Sequence, residues 1–329
     1  MIAERYRLES RIGSGGMGEV WQARHVHLDR VVAVKLLMPE MRAAADRMLA
    51  EALALARVRH PAVVEVNDCG LIDGSVPYLV MERLEGETLA ERLTRGPLPP
   101  LVAARHFVTI LEGLEAAHRA GVVHRDLKPE NIFLSRDAAG AIRPKLIDFG
   151  IALDAQPGAA RQTEVGLLIG TPAYMSPEQF GGGVISFRSD VWSATVAFYE
   201  AMTGVPPFGL QPLRDVMRRV LESPVPYPRT GPPIDKRLWQ IITAGLRKAP
   251  EERIASAVVL RDALAAWLEE RGGDHEVAAR ADTVPAASSL VAGPARGSPA
   301  APDSTPPGLV GPRAGATLDD LIRARLKGD

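Results

Sequence analysis

The stretch from His124 to Gly150 restricts this chain more than any other. It reads His124-Arg125-Asp126-Leu127-Lys128-Pro129-Glu130-Asn131 and, further on, Asp148-Phe149-Gly150. Two carboxylates, an amide and a lysine at such a spacing can orient a nucleophile and hold a hard cation, provided the fold gathers Asp126, Asn131 and Asp148 in one place.

A chain of 329 residues holds about two domains, or one domain with two lobes. Hydrophobic residues are 46% and charged residues 24%, as in a soluble globular protein. The formal net charge is −1 and no basic block stands out, which argues against nucleic acid or an anionic membrane as the main partner. Cys69 is the only cysteine, which excludes an intramolecular disulfide and any multi-cysteine metal site, and a small buried hydrophobe is expected there. Glu4, Arg5, Arg7, Glu9 and Arg11 leave no apolar core for a signal peptide. No apolar run approaches the ~20 residues that cross a bilayer, so a cytoplasmic protein without a membrane span is expected.

From Tyr6 to Leu37, short β-type runs alternate with turn formers, which predicts three antiparallel strands with the glycine cluster in a hairpin between two of them. Asp46 to Arg59 has helical periodicity and His60-Pro61 ends it. Strands are predicted at Ala62–Val66 and Tyr78–Glu82. After Gly96-Pro97-Leu98-Pro99-Pro100 the pattern becomes helical: Leu101–Ala120, closed by Gly121, then about Asp190–Met202, Leu213–Leu221, Asp235–Arg247 and Ser256–Arg271. About 273–315 is rich in Pro, Ala, Gly and Ser and reads as a disordered linker. Within 316–329, Leu318, Leu321, Ile322 and Leu326 stand at helical spacing, a frayed tail or a short helix for a protein partner.

Gly13-Ser14-Gly15-Gly16-Met17-Gly18-Glu19-Val20 matches G-x-G-x-x-G-x-V. Such glycines let a hairpin tip close over a triphosphate and offer it backbone N–H groups, although a plain glycine-rich hairpin would look the same in isolation. One strand later Val32-Ala33-Val34-Lys35 places a lysine among alternating apolar residues, where an ammonium needs an anionic partner.

Taken together, these motifs resemble those of bacterial eukaryotic-like (Hanks-type) serine/threonine protein kinases. The resemblance covers about Tyr6 to Arg271 and extends to Gly170-Thr171-Pro172-Ala173-Tyr174-Met175-Ser176-Pro177-Glu178, Ser189-Asp190-Val191-Trp192-Ser193 and Leu246 to Arg253. It implies an α+β, bilobal fold: a small antiparallel β lobe with one main helix at about 6–82, a hinge at about 82–86, and a mainly α-helical lobe at about 87–271.

The resemblance also implies roles. Asp126 would accept or orient the proton of the attacking hydroxyl, and Lys128 would neutralise charge on the transferred phosphoryl group. Asn131 and Asp148 would ligate magnesium, with manganese as a possible substitute, and Lys35 would meet both the phosphates of ATP and Glu51. Ile12, Val20 and Ala33 would roof the adenine, Phe133 would floor it, Met81 would be the gatekeeper, and backbone groups of Glu82 and Leu84 would bond the base. Glu178 would pair with Arg253, and Asp190 would brace the catalytic loop. Arg125 would receive a phosphate on the segment after Asp148, with Thr163 as the autophosphorylation site and Thr171 turned toward Asp126 and Lys128. Lys128 and the Gly170-Thr171-Pro172 segment favour serine and threonine acceptors on proteins. A kinase-shaped scaffold and a small-molecule phosphotransferase are the rivals; the first should lack Lys35, Asp126 or Asp148, the second the Ser-Pro-Glu and Asp190-to-Arg253 features. Ser176, Arg83 and Thr195 depart from the commoner residues at their positions.

Overall fold

The computed structural model describes residues 1–15, 18–37, 45–74, 76–137, 139–150, 172–228 and 232–271. Gly16, Met17, Thr163, Thr171 and the 273–315 and 316–329 segments lie outside the described residues. Those described divide into two compact units, 1–49 with 66–83, and 50–65 with 84–271.

The first unit is a sheet in the order β1-β2-β3-β5-β4, all neighbours antiparallel. Its strands are β1 (Tyr6–Gly15), β2 (Gly18–His25), β3 (Arg30–Leu37), β4 (Val66–Ile72) and β5 (Val76–Glu82). Side chains alternate across a strand, so register decides which residues share a face. Val20 opposes Lys35, Lys35 opposes Leu79, and Ala33 opposes Met81. Trp21, Val34 and Val80 likewise align on the other face, where Ala23, Val32, Leu36 and Tyr78 build a buried cluster with Ile2 and Tyr6. The roof residues expected from the motifs thus share a face with Lys35, while Ile12 sits at the irregularity between Arg11 and Gly13.

The strand expected at Ala62–Val66 is not one. Ala62, Val63 and Val64 are buried, as a strand's residues would be, but their backbone makes only a short parallel bridge to Leu146. The strand is Val66–Ile72, and its Asn67, Asp68, Cys69 and Gly70 mask the β pattern because β4 is an edge, free to carry polar residues. Cys69 is half-buried on that edge rather than in the core, and burial pushes its thiol up.

Helix α1 (Ala45–Ala56) spans the division between the units. The second unit is mainly helical, with α2 (Leu89–Leu93), α3 (Pro100–Arg119), α4 (Pro177–Phe180), α5 (Phe187–Thr203), α6 (Leu213–Glu222), α7 (Lys236–Gly245) and α8 (Ala257–Glu269). Pro100 starts α3, where a missing N–H costs nothing, and Gly121 at φ +78° ends it. Ile110, Leu111 and Leu114 are fully buried along α3, and Phe107 meets Phe198 of α5 at 5.2 Å between ring centres. A small sheet went unanticipated: β6 (Gly86–Thr88), β7 (Ile132–Arg136) and β8 (Ile142–Leu146) in that order. Strands β7 and β8 pair antiparallel, Ile132 opposite Leu146, and this brings the chain after Asn131 back to deliver Asp148 beside it.

Candidate active site

The loop from His124 to Asn131 is held from one carboxylate. Asp190, in the first turn of α5 and fully buried, accepts the backbone N–H of His124 at 2.8 Å and of Arg125 at 2.9 Å. His118 Nε2 lies 2.7 Å from the same carboxylate, with its ring stacked on Phe187. A helix N-terminus stabilises negative charge, which suits a buried aspartate there. Arg125 adopts φ +64°, a left-handed conformation that disfavours a residue with a Cβ. Such strain costs about 1–3 kcal/mol and persists only where surroundings enforce it, which the two N–H bonds to Asp190 do.

Downstream of the turn, Lys128 Nζ donates to Asp126 Oδ2 at 2.8 Å. Asn131 Nδ2 donates to Asp126 O at 2.7 Å and to Oδ2 at 3.0 Å. Asp126, Lys128 and Asn131 therefore form one cluster, as expected, and Asn131 uses its amide N–H groups on Asp126, leaving its oxygen as the atom for a cation. The return strand is tied in by Ile147 N donating to Asn131 O at 2.9 Å and Gly150 N donating to His124 O at 2.8 Å. Asp148 sits between these bonds at φ +52°.

His124 is packing support. It is fully buried, its ring meets Phe149 at 4.4 Å, and neither ring nitrogen has a hydrogen-bond partner. Burial holds its pKa below the ordinary value, so the ring stays neutral.

The segment before α5 is fastened from several sides. Arg253, buried, donates to both oxygens of Glu178 at 2.8 and 2.9 Å, and Ser189 Oγ adds a bond at 2.8 Å. Burial pushes the Glu178 carboxyl up, but the Arg253 bonds and charge outweigh it and hold it below the usual range. Ser176 uses its N and Oγ to donate to Gln179 Oε1 at 2.9 and 3.1 Å. Gln179 Nε2 in turn reaches Arg125 O at 3.4 Å. Tyr174 donates to Glu200 at 2.5 Å, and burial pushes the Glu200 carboxyl up to about 7.

Arg125 Nη1 lies 2.6 Å from Glu51 Oε1 on α1, within the second unit. Sequence reading gave these residues separate partners. Lys35, Ile12, Val20, Ala33, Met81 and Glu82 belong to the first unit; Glu51, Leu84 and Phe133, on β7, belong to the second. Gly13, Ser14, Gly15 and Gly18 lie on the β1–β2 hairpin. Glu19, expected at the nucleotide, instead accepts from Arg11 Nη1 and Trp21 Nε1, both at 3.0 Å.

His118, Gln179 and Glu200 were missed. Glu200 could have been found, as an acid inside the otherwise apolar run Val196 to Met202; His118 and Gln179 carry no local signal.

A hard divalent cation fits this donor set. Among the described residues no group of three or more His, Cys, Asp or Glu side chains could hold a metal. Asn131 and Asp148 supply two hard oxygens, the share a protein gives to an ion that takes its other ligands from phosphates and water.

The protein kinase domain family matches residues 6–264. Serine/threonine-protein kinase pkn2 of Myxococcus xanthus is 41% identical over 269 residues, 80% of this chain and 32% of the relative. PknL of Mycobacterium tuberculosis is 40% identical over 279 residues, 82% of this chain and 67% of the relative. PknH of Mycobacterium bovis is 35% identical over 311 residues, 92% of this chain and 50% of the relative. The chain thus spans between about a third and two thirds of the length of these three relatives. With the α+β architecture and the Asp126–Asn131–Asp148 loop already in place, it belongs to the protein kinase family, beside bacterial serine/threonine kinases.

Proposed function

We propose that this chain transfers the γ-phosphoryl group of ATP to serine or threonine hydroxyls of proteins, itself included. The cluster at Asp126 carries the reading. The Asp126 carboxylate would accept the incoming hydroxyl proton, and Lys128, donating to its Oδ2 at 2.8 Å, keeps positive charge where the phosphoryl oxygens would lie. Asn131 fixes the Asp126 side chain through Oδ2, so the carboxylate is oriented before substrate arrives. Magnesium held by Asn131 and Asp148 would supply charge neutralisation of the phosphates. Lys35 on β3 would meet those phosphates, and the glycine-rich hairpin would cover them.

Regulation by phosphate follows from the same loop. Arg125 is engaged by Glu51, so a phosphate on Thr163 would take Arg125 by offering more charge and more acceptor oxygens than one carboxylate. A cytoplasmic location goes with this reading, since ATP and a reduced Cys69 belong to that compartment. Among the described residues no helix is long and apolar enough to cross a membrane.

The test is incubation of wild type and Asp126→Asn with labelled ATP and magnesium, followed by mass-spectrometric mapping. Wild type should label a protein acceptor and itself on Thr163, and the variant should lose labelling by at least about a hundredfold. Equal labelling in both sinks the mechanism, and none in either returns the chain to a scaffold. A labelled wild type without phosphate at Thr163 removes the assignment of that site.

A further inference from the structure

Glu19 is a carboxylate on the wrong face for a ligand. On β2 it opposes Ser14 of β1 and Leu36 of β3, and it alternates with Val20, whose partner across the sheet is Lys35. Its side chain therefore leaves from the face of Trp21 and Leu36, away from the face that carries Val20, Ala33, Lys35 and Met81. There it is only 11% exposed, next to the apolar cluster on which Trp21 packs. A carboxylate at such a place is costly unless its oxygens are occupied. Both are: Oε1 takes Arg11 Nη1 and Oε2 takes Trp21 Nε1, each at 3.0 Å.

The three residues join both strands of one hairpin just behind its glycine-rich tip. Arg11 comes from β1 ahead of the irregularity at Ile12, and Glu19 and Trp21 come from β2. Gly18, at φ +150°, packs so tightly on β3 that a Cβ would stand 1.9 Å from Leu36 O. The root of the hairpin is thus fixed from two directions, by backbone contact at Gly18 and by charge-assisted bonds at Glu19. Strand β1 is an edge whose neighbour in the sheet is β2, so these side-chain bonds add to the ladder that holds its C-terminal end.

We propose that Glu19, held by Arg11 and Trp21, is a positioning residue that sets the glycine-rich hairpin in place for a nucleoside triphosphate. Its carboxylate touches no substrate; it acts by fixing the β1 and β2 strands that carry the glycines before phosphates bind. The proposal rests on the kinase reading above and names a residue that the glycine motif leaves unspecified.

The experiment compares wild type with Glu19→Ala, Arg11→Met and the double variant in the full chain. Affinity for magnesium-ATP is read by calorimetry, KM for ATP and for a peptide acceptor by steady-state kinetics, and hairpin amides 11–21 by hydrogen exchange. Each single variant should weaken ATP binding by about three- to tenfold, the scale of one or two lost charge-assisted bonds, with peptide KM unmoved and hairpin exchange faster. The double variant should be no worse than Glu19→Ala, because one clamp cannot be lost twice. If Glu19→Ala fails to fold, Arg11→Met still decides, since that side chain is 54% exposed. Unchanged ATP affinity, or equal losses for ATP and peptide, overturns the proposal. If wild type binds no ATP, the kinase reading fails and takes the ligand with it, a result unlike a hairpin that stays rigid without Glu19.

Discussion

Glu200 is a single carboxyl whose charge state the fold decides. Burial raises it from the ordinary 4.5 to about 7, against the bond from Tyr174 that favours the charged form, with Glu130 adding to the rise. The folded chain therefore holds this proton more tightly than the unfolded chain does. Between about pH 4.5 and 7 the native state carries the extra proton, so its contribution is full below that window and is lost as pH rises through it. Urea unfolding of wild type and Glu200→Gln across this range should differ by a slope worth on the order of 1–3 kcal/mol, with the variant flatter. Parallel curves would mean that Glu200 is ionised in the folded state.

Helices α5 and α7 meet where one side chain fills the space another lacks. Thr195 is fully buried and bonds Val191 O at 2.7 Å. A Cβ on Gly245 would stand 2.4 Å from Thr195 Oγ1 and 2.9 Å from Cγ2. Gly245→Ala should cost about 1–3 kcal/mol by overpacking, and Thr195→Ala in the same chain should recover part of it. Denaturant midpoints for the three variants check this; additive losses would rule out a shared contact. Neither residue announced the pairing, because complementarity of this kind is a property of two distant positions. Elements declared themselves unevenly for the same reason. Helices α3 and α5 to α8 and strands β1 to β3 follow local periodicity, so their sequence ranges come close, whereas the short α2 and α4 were not anticipated. Strand β4 does not follow such a period, being a polar-laced edge, and Ala62–Val64 looked more strand-like because these apolar residues are buried beside the distant stretch around Leu146 in the same unit. Asp126, Asn131 and Asp148 were legible because the chemistry tolerates few other side chains. Glu19 shows the limit: its motif position suggested the nucleotide, and only the strand register turned it to the opposite face.

At the scale of the molecule, the second unit is tied by contacts that reach far along the chain. Glu178 and Arg253 are 75 residues apart, Arg125 and Glu51 are 74, and His118 and Asp190 are 72. The first of these pairs is the most deeply buried, at 7% and 0% side-chain exposure. Removing one member leaves the other charged without its counter-ion, so Arg253→Met should destabilise by about 3–5 kcal/mol, while Glu178→Met with Arg253→Met should lose less. Thermal and denaturant unfolding of both variants would measure it; equal losses would show that the ion pair adds nothing to the packing of its side chains.

The Arg125–Glu51 contact has a consequence of reciprocity. One guanidinium facing two candidate anions makes the position of α1 and the occupancy of Arg125 thermodynamically linked variables. If an anion at Arg125 loosens Glu51 by some factor, then whatever draws Glu51 elsewhere strengthens that anion's binding by the same factor. Anything that draws Glu51 from Arg125 would therefore sensitise the loop to phosphate without touching it.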